Sequence, residues 1–369
     1  MIPVSKPFIN SDTIKKVNKA LKDGWISSRG EFVNKFEQGL KKYLNAKYCT
    51  TCSNGTAALI LGLKALNIGK NDEVIVPDLS YAATINSVIN VGAKPVICEV
   101  DKHSWCIESK KIEEKISKKT KAIIAVHLYG QACDLKNILK ICKKYKLFLI
   151  EDTAEAFGTK LDGKYLGTFG DVGCFSFFGN KTISTGEGGC CVVKKKHVYE
   201  NILLFKNHGM KDKKKYFHYV SGYNFRMTNI QAAIGLSQLN KMNFFKIKRK
   251  LIEQFYIKKF KNYDQFISQK NTNNCKRINW IFTSLFTNTN IKKLTNQLKS
   301  NGIETRRSFY PFHSMKLYKK YIPKKFNKKN SIYIFKNALS LPTFVEIKIK
   351  ELEIISKSIK NFLNQNYEK

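Results

Sequence analysis

Short apolar runs alternate with helix-like blocks through residues 48–151, and that alternation leaves few folds open. Residues 48–52 read as a strand, 56–66 as a helix and 73–77 as a strand again. A helix-like 81–91, a strand at 95–100 and a helix at 110–116 continue the pattern. Two further apolar runs, 122–128 and 147–151, flank the amphipathic block 135–145. β-α units repeated at this length predict an α/β fold, a mostly parallel sheet with helices on both faces. Ligands bind such sheets at the carboxyl ends of their strands. Polar groups gather there: Ser53-Asn54-Gly55-Thr56, Asp152 and Ser176.

Beyond Asn229 one long helical pattern, 230–260, carries the chain away from this sheet. An Asn/Lys-rich stretch, 269–276, reads as a surface loop. An α+β pattern follows: a strand near 281–286, a helix at 291–299, a turn at Asn301-Gly302 and a strand leading to Arg306. Helical blocks at 331–339 and 347–363 close the chain. The expected division is a large domain over residues 1–248, with its N-terminal segment, and a smaller α+β domain over 249–369. No internal repeat is found.

The formal charge of +38 raises nucleic acid as a partner, but only six of the 66 basic residues are arginine. Nucleic-acid readers favour arginine for bidentate and stacking contacts, and the lysines are scattered among Asn and Ile. The expectation is a compositional bias on an ordinary enzyme surface, with no nucleic-acid partner. No apolar run reaches the ~20 residues of a membrane-spanning helix, and the first residues lack a signal-peptide layout. A cytoplasmic protein is expected. The ten cysteines are spread out, several in apolar runs (Cys98, Cys174, Cys190, Cys191), and read as buried thiols. Cys49-Thr50-Thr51-Cys52 has the C-x-x-C spacing without a second ligand pair, and no metal site is expected.

Gly170 to Gly189 is the stretch that carries chemistry. An apolar strand delivers Ser176; a Gly179-Asn180 turn, Lys181 and a glycine-rich return follow. Lys181 comes after Phe175, Phe177 and Phe178, where a long amine can be desolvated, and desolvation favours the free amine of a Schiff-base lysine. A plain loop lysine fits the same residues. Ser53-Asn54-Gly55-Thr56 ends a strand and opens a helix, which suits an anion or simply a helix cap. Asp152, at the end of a buried strand and opposite in direction to Glu151, calls for a cationic partner unless it too is a cap. Gly158 to Lys164 approaches a phosphate-binding loop, but Tyr165 stands where Ser or Thr must be, and Asp162-Gly163 signals a hairpin. His127 ends a strand and reads as a structural imidazole.

Taken together, these segments resemble the sugar aminotransferases of the DegT/DnrJ/EryC1/StrS family, within the aspartate-aminotransferase (type I) fold. The resemblance runs from Trp25-Ile26-Ser27-Ser28 through Ser53-Asn54-Gly55-Thr56, Asp72 to Pro77, Glu151 to Gly158 and Gly179 to Gly189, and ends in Gly222-Tyr223-Asn224-Phe225-Arg226-Met227-Thr228-Asn229-Ile230-Gln231-Ala232-Ala233. It implies pyridoxal 5′-phosphate (PLP) as cofactor, with pyridoxamine 5′-phosphate as its aminated form. By the same resemblance Lys181 bears the cofactor and moves the proton, and Asp152 keeps the ring nitrogen protonated. Tyr81 stacks on the ring, Glu155 lies near its phenolic oxygen, and Gly55, Thr56 and Ser176 cup the phosphate. Asn224 joins that cup from the second subunit of a homodimer. Trp25, Ser27, Arg226, Tyr310 and His313 are the expected substrate contacts, with Arg306 and Arg307 worth testing; packing or surface pairing explains each equally well. The implied reaction passes the amino group of L-glutamate to C4 of a nucleotide-linked 4-keto-6-deoxy sugar, GDP-linked in first place, UDP- or dTDP-linked otherwise. Related 3-dehydratases carry histidine at the lysine position, so Lys181 speaks against them. A non-catalytic ligand sensor on the same fold is the reading from another class. Thr153, in place of a commoner small residue, and the lysine-rich surface depart from the family pattern.

Overall fold

The structure, a computed structural model, describes residues 1–211, 214 and 216–365. Seven strands form the central sheet: β1 (Tyr48–Cys52), β2 (Glu73–Pro77), β3 (Lys94–Cys98), β4 (Thr120–Val126), β5 (Phe148–Asp152), β6 (Val172–Ser176) and β7 (Gly189–Val193). Their spatial order is β1-β7-β6-β5-β4-β2-β3. Only β7 runs against its neighbours β1 and β6; the remaining pairs are parallel. β1, β5 and β6 therefore end at the same edge, and register sets Asp152 between Val126 and Cys174. The strands are buried on both faces, as a helix-covered parallel sheet demands.

The first four helices of the chain are α1 (Ser11–Lys22), α2 (Glu31–Leu44), α3 (Gly55–Ala65) and α4 (Ala83–Asn90), and α3 and α4 start at that edge. α3 is apolar nearly all round because the sheet, α4 and the helix Lys196–Lys206 all cover it. α1 and α2 pack on the helix Asn229–Leu239. Glu151 faces away from Asp152, as strand alternation requires. Its carboxylate accepts from the N–H groups of Gly167, Phe169 and Gly170 and pairs with His127 Nε2 at 3.1 Å, while His127 Nδ1 accepts from Cys133 N–H. Burial pushes the Glu151 carboxyl up, but His127 and the backbone donors outweigh it and hold it below its ordinary value. His127 is thus a structural imidazole. Asp162 and Gly163 both take positive φ in a hairpin between Lys160–Leu161 and Lys164–Tyr165, so the phosphate-loop reading fails on geometry too. All ten cysteines are buried free thiols.

A second, antiparallel sheet joins Phe266–Ser268, Phe282–Phe286, Ala338–Leu341 and Arg306–Arg307 in that order. Several expectations need correction here. The pattern over 230–260 is two helices, Asn229–Leu239 and Met242–Phe260, parted at Asn240-Lys241; the first begins with a Thr228/Gln231 capping box. The block 331–339 is helical only to Asn337. Ala338–Leu341 is a fully buried strand, because it fills the gap between Phe282–Phe286 and Arg306–Arg307. The stretch 110–116 is one turn of α-helix, Ser109–Ile112, running into a 3₁₀ turn. The stretch 269–276 is more than a surface loop: Gln269 is buried, its Nε2 donates to Ser104 O and Leu128 O, and Cys275–Lys276 pairs with Lys160–Leu161. The amphipathic pair α1 and α2 was not foreseen.

Candidate active site

At the carboxyl edge of the sheet lies a cavity of ≈ 400 Å³ whose walls come from distant parts of the chain. Asn54, Gly55 and Thr56 enter from the start of α3, Tyr81 from the segment before α4, and Asp152 and Glu155 from the end of β5. Ser176 ends β6 and Asn180 and Lys181 follow it; Arg306 comes from the second sheet, Trp280 from just before its strand Phe282–Phe286 and Phe309 from just after Arg306–Arg307.

α3 starts where a phosphate can be held. Asn54 Oδ1 accepts from Ala57 N–H at 2.8 Å, and the N–H groups of Gly55 and Thr56 find no partner among the described residues. Helix N-termini with free N–H groups attract anions. A Cβ on Gly55 would lie 2.7 Å from Ser176 Cβ, so only glycine lets the serine hydroxyl close on this turn.

Asp152 is buried. Thr84 Oγ1 donates to its Oδ2 at 2.8 Å and Ala154 N–H to its Oδ1 at 3.2 Å. Burial still raises its carboxyl above the usual range, with these bonds and the Lys181 charge acting against it. Glu155 is 4 % exposed; Tyr129 N–H donates to its Oε2 at 2.8 Å, and its Oε1 lies 4.0 Å from Lys181 Nζ. Burial pushes Glu155 up to about 7, opposed by Lys181. Lys181 is displaced the other way: burial lowers its ammonium, Glu155 and Asp152 raise it, and Arg306 lowers it further. One amine and two carboxyls thus share a desolvated cavity in which their ionisations are drawn together.

The donor set fits PLP. Unpaired N–H groups suit its phosphate, a buried carboxylate suits a protonated ring nitrogen, and a depressed lysine suits its aldehyde. The exposed ring of Tyr81, edge-on to Phe309 at 5.9 Å, offers an aromatic face.

Seven of the expected cofactor contacts, Gly55, Thr56, Tyr81, Asp152, Glu155, Ser176 and Lys181, line this one cavity. The others lie outside it. Asn224 Oδ1 accepts from Arg226 Nε and Nη2, and Arg226 Nη1 donates to Asn207 Oδ1, so that arginine is already engaged. The carbonyls of Trp25 and Ser27 accept from Asn229. His313 is bound to Asp78 through its main-chain N–H and Nδ1, and Tyr310 rests on Phe335 at 4.5 Å. Sequence reasoning missed Trp280, Phe309 and Thr84. Trp280 is one of only three tryptophans, which was the available signal; nothing local marks the other two.

This fold and cavity define a PLP-dependent transaminase of fold type I. The chain matches the DegT/DnrJ/EryC1/StrS aminotransferase family over residues 7–360. It is 42% identical to the GDP-perosamine synthase of Escherichia coli O157:H7, over 98% of both chains, and 38% identical to that of Vibrio cholerae, over 99% of this chain and 100% of the relative. A putative sugar aminotransferase of Streptococcus pneumoniae in its PMP form superposes with a TM-score of 0.92 at 25% identity, covering 100% of this chain and 98% of that one. The chain belongs to the DegT/DnrJ/EryC1/StrS family and is a PLP-dependent sugar aminotransferase.

Proposed function

We propose that this enzyme moves the amino group of L-glutamate to C4 of GDP-4-keto-6-deoxy-D-mannose, giving GDP-perosamine and 2-oxoglutarate. The observation that carries the transaminase reading is the amine of Lys181 held in a desolvated cavity beside Asp152 and Glu155. The choice of nucleotide and sugar is supported by near-full-length likeness to two GDP-perosamine synthases.

When bound, PLP supplies an electron-withdrawing ring that accepts the electron pair of the C–H bond broken beside the transferred nitrogen. Lys181 would bear it, and its amine carries the proton between carbon atoms. Asp152, fixed by Thr84 and Ala154, would keep the ring nitrogen protonated. Gly55, Thr56 and Ser176 would hold the phosphate, Tyr81 would cover a ring face, and Glu155 would sit by the phenolic oxygen. Arg306, the cavity's guanidinium, suits a carboxylate or diphosphate.

The proposal includes a homodimer with shared sites, Asn224 reaching the second subunit's phosphate cup, and action in the cytoplasm. Among the described residues no helix is long and apolar enough to cross a membrane. We place the domain boundary near residue 248, inside the helix Met242–Phe260. Met242 and Phe245 pack in the core around α2, whereas Ile252, Tyr256 and Phe260 pack under the second sheet.

The test is an assay of purified protein with L-glutamate and a panel of GDP-, UDP- and dTDP-linked 4-keto-6-deoxy sugars, following 2-oxoglutarate. GDP-4-keto-6-deoxy-D-mannose should be aminated fastest; preference for a UDP or dTDP sugar overturns the substrate assignment. Lys181→Ala should abolish turnover and leave loosely held cofactor, and full activity in that variant overturns the site. A visible spectrum that glutamate leaves unchanged would point to a sensor instead.

A further inference from the structure

Lys181 extends its amine over the indole of Trp280, 3.7 Å from the ring centroid. That indole is anchored on two sides. Its Nε1–H donates to Asn180 O at 2.7 Å, the carbonyl immediately before the lysine. It also stacks on Tyr129, with centroids 6.1 Å apart and planes at 13°, and Tyr129 in turn stacks on Phe309 at 5.9 Å and 2°. Trp280 is 6 % exposed and lines the same cavity as Asp152 and Glu155. The ring is therefore registered to the lysine's own main chain by a hydrogen bond and to the cavity wall by a three-ring stack.

A lysine that alternates between bonded and free needs a resting place for its amine. Its flexible four-carbon stem loses rotamer freedom when the amine is fixed, and a largely buried ammonium has few partners. The face of an indole is the strongest aromatic seat for a cation. We propose that Trp280 is a positioning residue whose indole face seats the Lys181 amine whenever that amine is not bonded to the cofactor, keeping it in the cavity for its return. This rests on Lys181 being the cofactor-bearing lysine. The groups facing that amine are the carboxyls of Glu155 and Asp152, which favour its ammonium, and the guanidinium of Arg306, which disfavours it; Tyr81 and Glu187 also line the cavity. The indole adds to the first group.

The experiment uses the full chain freed of cofactor. A short pulse of acetic anhydride is given across a pH series, and acetylation of Lys181 is read by mass spectrometry. Trp280→Leu should lower the midpoint by about one pH unit, since the ring no longer favours the charged form. Trp280→Phe, which keeps an aromatic face without the N–H, should stay near the wild type. In the holoenzyme Trp280→Leu should lose about tenfold in kcat with little change in KM for the sugar nucleotide, and Trp280→Phe should recover most of it. A Leu midpoint equal to wild type, or a Phe variant as low as Leu, overturns the proposal. Should the Leu variant fail to fold, tryptophan emission of the cofactor-free wild type is titrated against Lys181→Met, with Trp25 and Trp105 common to both. A step present only in the wild type supports the seat, and identical titrations overturn it. Cofactor absorbance fully retained by Lys181→Met would instead sink the assignment of the lysine, a result separate from the labelling midpoints.

Discussion

Lys181 and Glu155 show how burial alone can bring an acid and a base towards one another. Water favours the charged form of each; the cavity removes that water and leaves them 4.0 Å apart. For Glu155 the displacement has a consequence for stability. Its carboxyl ionises near 4.5 in the unfolded chain but is pushed up to about 7 in the folded, cofactor-free protein. A raised acid contributes stability below the unfolded value and loses that contribution as pH climbs through the folded one. Cofactor-free wild type should therefore lose up to roughly 3 kcal/mol between mildly acidic and mildly alkaline pH that Glu155→Gln does not lose. Urea denaturation of the two proteins across that range checks this, and parallel curves would refute it.

The turn from β1 into α3 and the end of β6 act as one unit. Gly55 lets Ser176 approach because a Cβ there would sit 2.7 Å from the serine Cβ. Gly55→Ala should leave the helix content unchanged, since alanine suits the first turn of a helix. It should weaken PLP binding about tenfold or more, a loss of ~1.4 kcal/mol, measured by absorbance titration of the cofactor-free protein. Unchanged affinity would remove Ser176 and Gly55 from the phosphate cup. Elsewhere, one face of β5 serves the site through Asp152, while the other uses Glu151 to gather three backbone N–H groups. A single strand thus divides chemistry from scaffolding by its two-residue period.

For the molecule as a whole, the proposed homodimer would complete the site. Asn224 lies outside the cavity of its own chain. Ile14, Leu21, Trp25 and Ile26, on and after α1, are each more than half exposed, an apolar strip that a second copy would cover. Sedimentation should give about twice 42.4 kDa. Chains carrying Lys181→Ala and Asn224→Ala should each be poorly active alone yet regain activity when refolded together, because one site of the mixed dimer receives both native residues. No recovery on mixing would make the sites independent.

The alternation across residues 48–151 foretold five strands of the central sheet and the edge where the cavity lies. Each strand and helix there is defined by a burial period a few residues long, and Ser53-Asn54-Gly55-Thr56, Asp152 and Ser176 sit at local transitions between them. Lys181 was legible for a similar reason: its aromatic and glycine neighbours are adjacent in the chain. Ala338–Leu341 was not, since its four residues become a strand only because two partner strands present unpaired edges. Nor were Trp280, Thr84 and Phe309: the indole reaches Asn180 from 100 residues away, and no short pattern encodes such a meeting. Local periodicity records which side of an element faces the core, whereas the company that side keeps is settled when distant segments bury one another.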